Sequence, residues 1–300
     1  MTDFIRPFML SDGLFRGIIT RTGGIMQEIN KRKEYPEPVA LLLSEAITLT
    51  ALLSSALKYE GVFTLQIKGD GAVKTLVVDE TSDGGIRAYA RFEEEELDKV
   101  APESIKNRGS VPALLGGGYM VFTMDNSDGS ERYQGMVELE GSTLAECAHK
   151  YFQQSEQIET AIKIAVAAPH EDNPWKSGGM LLQRMPESGG NKEIQKSEEE
   201  IEDEWNTDVI LMGSLTDKEI LDDALTPENI LYRLYHEQDT RVFDEKSLHF
   251  ECRCSRSRIV GVLKSFAEKD LKEMQKDGKI SLTCEFCGTT YDVDEKDLKA

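Results

Sequence analysis

Cys252-Arg253-Cys254 forms a C-x-C pair and Cys284-Glu285-Phe286-Cys287 a C-x-x-C pair, with 29 residues between them, so four of the chain's five cysteines fall within 36 residues. Thiolates bind zinc tetrahedrally at roughly 2.3 Å, and two short-spaced pairs supply all four corners of one ion. Gly288, directly after the second pair, suits a tight knuckle in which backbone amides turn toward sulfur. A set of four sulfurs closes the coordination sphere, whereas catalytic zinc keeps a position open for water. The expectation is therefore one structural zinc per chain, held by Cys252, Cys254, Cys284 and Cys287, with no hydrolytic role. A metal-free dithiol at Cys284 and Cys287 is the competing chemistry. His249 reads as a flanking residue rather than a ligand. Cys147 reads as a buried thiol outside the four-cysteine cluster. His149 lacks a partner pair, and His170-Glu171-Asp172 reads as a polar loop.

The elements that must position these cysteines are short. Lys279–Thr283 and Thr289–Val293 predict a hairpin around the C-x-x-C pair. Ser255–Met274 predicts one or two helices with Ile259, Val260, Leu263, Phe266 and Leu271 facing inward. A piece of about 50 residues is marginal on its own core. Apparent zinc-binding energies of ~10–16 kcal/mol are comparable with the whole stability of an ordinary domain, about 5–15 kcal/mol. The metal is thus expected to decide whether this end is folded.

Ahead of it the chain divides into two further units, giving residues 1–186, an acidic helical linker over 187–235, and the zinc-binding end over 236–300. The first unit predicts an α+β domain, a mixed sheet-and-helix fold without regular alternation. Phe15–Ile19, Phe63–Ile67, Thr75–Val78, Ile86–Phe92, Tyr119–Met124 and Tyr133–Leu139 read as strands, and Ile158–Ala168 and Met180–Met185 as closing strands. Thr22 starts a helix through Lys31, Pro38 a long one over Val39–Leu57, and Ser142 a third through Gln154. Gly69-Asp70-Gly71 and Ser82-Asp83-Gly84-Gly85 are turns, and Gly116–Gly118 break the chain.

In the linker, Ser188-Gly189-Gly190-Asn191 is a break. Lys192–Trp205 predicts a helix with a thin stripe of Ile194, Ile201 and Trp205 amid Glu198, Glu199, Glu200, Glu202, Asp203 and Glu204. Such crowding makes a helix marginal unless it docks. Thr216 with Glu219 predicts a capping box, and Thr226-Pro227 a second helix start whose Ile230, Leu231, Leu234 and Tyr235 share a face.

The 300 residues carry a formal net charge of -20. Residues 187–250 hold 18 acids against 6 bases, while 251–300 balance at 10 and 10. Such a chain repels nucleic acid and anionic membrane. Residues 1–11 contain Asp3 and Arg6 and no long apolar run, so no secretory signal is expected. The apolar window Val39–Leu57 contains Glu45 and several hydroxyls and reads as a buried helix rather than a span. With clustered cysteines, these features predict a reducing, cytoplasmic setting. Phosphate-loop, zinc-protease and serine-hydrolase patterns do not occur.

The two cysteine pairs about thirty residues apart, the Lys68-Gly69-Asp70-Gly71 turn, the stretch Tyr151-Phe152-Gln153-Gln154-Ser155-Glu156-Gln157 and the acidic middle appear in one order over the whole chain. In this the sequence resembles the 33-kilodalton heat-shock protein family, bacterial redox-regulated holdase chaperones. The resemblance implies a non-enzymatic function. Reduced, the four thiolates hold zinc and the chaperone is off. Oxidation gives Cys252–Cys254 and Cys284–Cys287 disulfides and expels zinc. The small end unfolds, the linker loses support, and apolar surface meets unfolding clients, which are held against aggregation under oxidative stress. It also implies a homodimer when oxidised and transfer of clients to ATP-dependent foldases. Two other readings stay open: a zinc-ribbon module binding nucleic acid or protein, and a thiol–disulfide oxidoreductase using Cys284 and Cys287.

Overall fold

The computed structural model describes residues 2–57, 59–129, 132–171, 173–185, 196–275 and 278–299. In chain order the elements begin with strands β1 (Phe4–Leu10) and β2 (Phe15–Arg21) and helices α1 (Gly23–Arg32) and α2 (Glu37–Ala56). Strands β3 (Gly61–Gly69), β4 (Val73–Thr81) and β5 (Gly85–Phe92) follow, then the short helices α3 (Glu94–Leu97) and α4 (Pro102–Arg108). Next come β6 (Gly118–Asn126), β7 (Tyr133–Glu138), α5 (Leu144–Tyr151), β8 (Thr160–Ala167) and β9 (Lys176–Arg184). Helices α6 (Glu198–Ser214), α7 (Asp217–Ile220) and α8 (Pro227–Tyr235) precede three two-residue strands, β10 (Arg241–Val242), β11 (Lys246–Ser247) and β12 (His249–Phe250). The chain closes with α9 (Arg256–Leu263), α10 (Glu268–Met274), β13 (Lys279–Thr283), β14 (Thr290–Asp294) and α11 (Glu295–Lys299).

Helix α2 explains the architecture. Sixteen of its 20 residues are buried, because two sheets cover it from opposite sides. One sheet has the order β10-β1-β2-β9-β8, with β11 also on β1; the other runs β12-β5-β4-β3-β6-β7. The helix is long and apolar enough to cross a membrane, yet 89% of its apolar window is buried inside the fold. Its one buried acid, Glu45, is used internally. The carboxylate accepts the Leu144 amide at 2.8 Å at the start of α5, and burial pushes its pKa up to about 7.

The predicted strands and helices occur with shifted ends, and β1 joins them as the partner of β2. Helix α1 follows Thr22 as expected, but the Thr22 hydroxyl bonds Thr48 and Ser177 instead. The free amides of Gly24 and Ile25 are capped by Asp3. The third predicted helix ends as α5 at Tyr151, and Phe152–Glu156 continues as a π-type turn closed by Gln157 at φ 53°. A non-glycine residue in this left-handed region stops the helix.

The linker helix starts later and runs further than expected. Ser197 and Glu200 form a capping box, and α6 continues to Ser214. Residues 186–195, including the predicted Gly189-Gly190 break and Ile194, lie outside the described residues, as does Asp172. Ile201, Trp205 and Met212 of α6, Ile220, and Ile230, Leu231, Leu234 and Tyr235 of α8 pack with Phe4, Phe8, Phe15, Ile19, Met180 and Leu182. Alternation along β1, β2 and β9 gives the first sheet two apolar faces, one for α2 and one for the linker. The capping box of α7 and the α8 start at Thr226-Pro227 hold as read, whereas the Ser197 box of α6 was not read from the sequence.

The strands of 241–250 pair into both large sheets, although the sequence groups them with the cysteine end. Two-residue strands leave no alternation to read. Beyond them, Leu263, Ile280 and Val293 form a separate core with Ile259, Val260 and Leu271 at its margin. Phe266, expected inside, is instead 44% exposed. It follows the end of α9, where the helical period that aligned it with Ile259 and Leu263 no longer applies.

Candidate metal centre

The hairpin of β13 and β14 carries the second cysteine pair at its tip. Five paired positions run from Lys279–Asp294 to Thr283–Thr290. The turn is closed by Cys284 N–H to Thr289 O at 2.9 Å and Gly288 N–H to Cys284 O at 2.8 Å. Gly288 takes φ +71° there, and a Cβ on it would come within 3.2 Å of Arg32 O, so both backbone and space call for glycine. The amides of Phe286 and Cys287 point at the Cys284 sulfur and that of Thr289 at Cys287. The first pair lies on the extended stretch between β12 and α9, where the Cys254 amide turns to the Cys252 sulfur.

The four sulfurs converge. Cys252 Sγ lies 3.7 Å from Cys284 Sγ, Cys254 Sγ lies 3.4 Å from Cys287 Sγ, and all four fall within 4.8 Å of one another. At a metal–sulfur distance of about 2.3 Å a tetrahedron has edges of about 3.8 Å. Both of these contacts run between the motifs, so the two pairs come together around one space. All four are free thiols, well beyond the ~2.05 Å of a disulfide. The donor set is soft and closed, which fits zinc and leaves no position for a substrate.

Burial pushes the Cys252 thiol up to about 12 and raises Cys284 as well. Burial also opposes ionisation of Cys287, but the Thr289 hydroxyl and amide, with the Cys254 and Cys252 thiols, bring it down to about 7. One sulfur is thus poised to ionise near neutrality, and a cation would draw the others after it. The Tyr291 hydroxyl, 3.1 Å from Cys254 Sγ, and Thr289, 3.3 Å from Cys287 Sγ, complete the surroundings. The sequence singled out neither.

The hairpin tip rests on the second sheet. Phe286 meets Tyr89 edge-on with ring centres 4.8 Å apart, the Arg87 guanidinium lies 4.0 Å from the Phe286 ring centre, and Glu285 pairs with Lys33 at 3.0 Å. Contacts between residues so far apart in the sequence leave no local signal. His249 is exposed and outside the sulfur cluster. Cys147 is buried in the main core, its pKa raised to about 12 by burial and by Glu45. His149 Nδ1 lies 2.6 Å from Thr160 O, and His170 and Glu171 are exposed.

A family model described as "Hsp33 protein" matches residues 3–294. The chain is 38% identical over 297 residues to the "33 kDa chaperonin" of Caulobacter vibrioides, covering 98% of this chain and 95% of that protein. It is 35% identical over 295 residues to the protein of the same description from Aliivibrio salmonicida, covering 98% and 93%. The crystal structure of a 33 kDa chaperonin (heat shock protein 33 homolog) from Thermotoga maritima superposes with a TM-score of 0.82 at 22% identity, over 100% of this chain and 97% of that one.

Proposed function

The chain belongs to the Hsp33 family, and on that premise we propose that it is a redox-regulated holdase whose four-sulfur centre binds one zinc ion in the reduced state. Members of this family are chaperones rather than enzymes, which removes the oxidoreductase reading. The observation that carries the proposal is the convergence of Cys252, Cys254, Cys284 and Cys287 within 4.8 Å on an end whose own core has three fully packed residues, Leu263, Ile280 and Val293. When bound, zinc supplies the stabilisation that this core lacks.

Two thiolates, one hydrogen peroxide and two protons give one disulfide and two waters. Carried out at Cys252–Cys254 and at Cys284–Cys287, this consumes the ligand set. The closing loops contain one and two residues, so pairing within each motif costs little chain entropy. The small end then loses its fold. The linker, rich in mutually repelling acids, is released from the apolar face formed by Phe4, Phe8, Phe15, Ile19, Met180 and Leu182. That face and the apolar side of the linker are suited to unfolding proteins. The reading includes a homodimer in the oxidised state, hand-over to ATP-dependent foldases, and a cytoplasmic setting. The organisation is a core over 1–186, a linker over 187–235 and a switch over 236–300. The net charge of -20 stands against nucleic acid.

The test is suppression of aggregation of a heat-unfolded protein before and after peroxide, with released zinc measured in the same sample. Suppression and zinc release should appear together on oxidation. Equal suppression by the reduced, zinc-loaded chain would leave a constitutive chaperone and remove the switch.

A further inference from the structure

Asp79 and Glu80 are neighbours on β4, so their side chains leave opposite faces of the sheet. Each holds a cation from the same late segment. On the α2 side, Glu80 is fully buried and accepts from Lys246 Nζ at 2.9 Å and Ser54 Oγ at 2.6 Å. On the outer face, Asp79 Oδ2 accepts from Arg253 Nη2 at 2.8 Å and pairs with Arg87 at 2.6 Å, while Oδ1 accepts from Thr64 at 2.8 Å. Between the two cations the chain crosses the sheet edge, pairing His249–Phe250 with Gly85–Ile86 and donating from Glu251 N–H to Ile86 O at 2.8 Å. The Arg32 guanidinium lies 4.6 Å from the Phe250 ring centre.

Arg253 is the residue between Cys252 and Cys254. We propose that Asp79 is a positioning residue of the sulfur centre, holding Arg253 to the sheet so that the C-x-C pair is presented to Cys284 and Cys287. The proposal rests on reading the four sulfurs as a metal centre. Arg258 Nη1 donates to Arg253 O at 2.6 Å, so the backbone between the two cysteines is fixed as well. Asp79 is 8% exposed, and Arg253 and Arg87 are 19% exposed each. A charge so enclosed is strongly committed to its partners. Arg87, on the same carboxylate, is also the guanidinium over Phe286. The interior residues of both cysteine pairs therefore meet around Asp79, and this small area of β4 and β5 joins the sulfur centre to the body. Within each motif the pattern of cysteines explains the ligands; Asp79 explains why the two motifs face each other.

The experiment uses the reduced, zinc-loaded full chain and follows transfer of zinc to excess chromogenic chelator, with amide exchange over 246–253. Arg253→Gln leaves the Asp79–Arg87 pair in place and keeps the fold; it should speed release about tenfold or more, the weight of a charged hydrogen bond. Asp79→Asn should do the same, and the double variant should be no faster than the faster single. Arg253→Lys should restore part of the delay, since an ammonium pairs as a point charge without the fork. A wild-type release rate in Arg253→Gln, or effects that multiply in the double variant, would overturn the role of Asp79. Aggregation suppression by the same proteins separates this from the functional reading. Faster release with no suppression after oxidation sinks the chaperone and leaves the clamp. Normal oxidation-dependent suppression with wild-type release in Arg253→Gln sinks the clamp alone. A wild-type chain that takes up no zinc sinks both.

Discussion

Trp205 of the linker helix lies on Phe15 of the first sheet, ring centres 5.7 Å apart and inclined at 44°. It is 7% exposed on a helix whose first seven residues include six acids. Packing of Trp205, together with Ile201 and Met212, against this sheet is what holds that helix in place. Trp205→Ala should cost about 3–5 kcal/mol of docking. Amide exchange over 198–214 in the reduced chain should rise, with zinc content unchanged. Wild-type protection in the variant would show that the helix stands without its tryptophan.

Asp208 lies three residues on, fully buried, with Oδ1 accepting from Gln238 Nε2 and Oδ2 meeting no donor among the described residues. Burial raises its pKa from 3.8 to about 6, with Glu204 pushing it the same way and Gln238 and Lys196 opposing. An acid raised in the docked state weakens docking fully above that pKa. The penalty fades as pH falls through about 6 and is absent below 3.8. Protection in α6, measured relative to the intrinsic amide-exchange rate at each pH, should therefore rise between pH 7.5 and roughly 5.5, and Asp208→Asn should flatten that profile. A profile with the same slope in both proteins would place the titration elsewhere.

Cys284→Ser should lower zinc affinity at least tenfold, since one of four corners is lost. Cys147→Ser should leave it unchanged, because Cys147 is buried in the main core away from the cluster. Competition with a chelator of known strength measures both. X-ray absorption should show sulfur alone around the ion; nitrogen in that shell would bring His249 back.

Peptide mass mapping after peroxide should find Cys252 joined to Cys254 and Cys284 to Cys287. In the reduced fold Cys252 already lies beside Cys284, and Cys254 beside Cys287. Cross-linked peptides between the motifs would therefore mean that oxidation outruns unfolding of the small end.

The cysteine spacing, the hairpin and the capping box of α7 were legible because each rests on neighbours in sequence. Helix α2 was legible from composition, although its burial from both sides shows only in the fold. Three kinds of feature were not legible. Helix α6 runs past Trp205 because Met212 continues the buried stripe, a step the acidic run concealed. Strands β10–β12 are too short to carry a period. Asp79, Arg87 and Tyr89 look like ordinary polar alternation on two strands, and only the fold brings them to Phe286 and Arg253.

Strands β10 and β11 lie on β1, and β12 on β5, so the second large sheet gains its last edge strand, and the first sheet two of its strands, from residues 241–250. During synthesis these strands emerge long after β9 has ended at Arg184. At 5–20 residues per second the interval is roughly 3–11 s. Through it the nascent body presents the unpaired backbones of β1 and β5, surfaces that invite pairing with another chain. A holdase made on a polysome is thus, for some seconds, itself a protein with exposed edges, and its own late segment is the first to cover them.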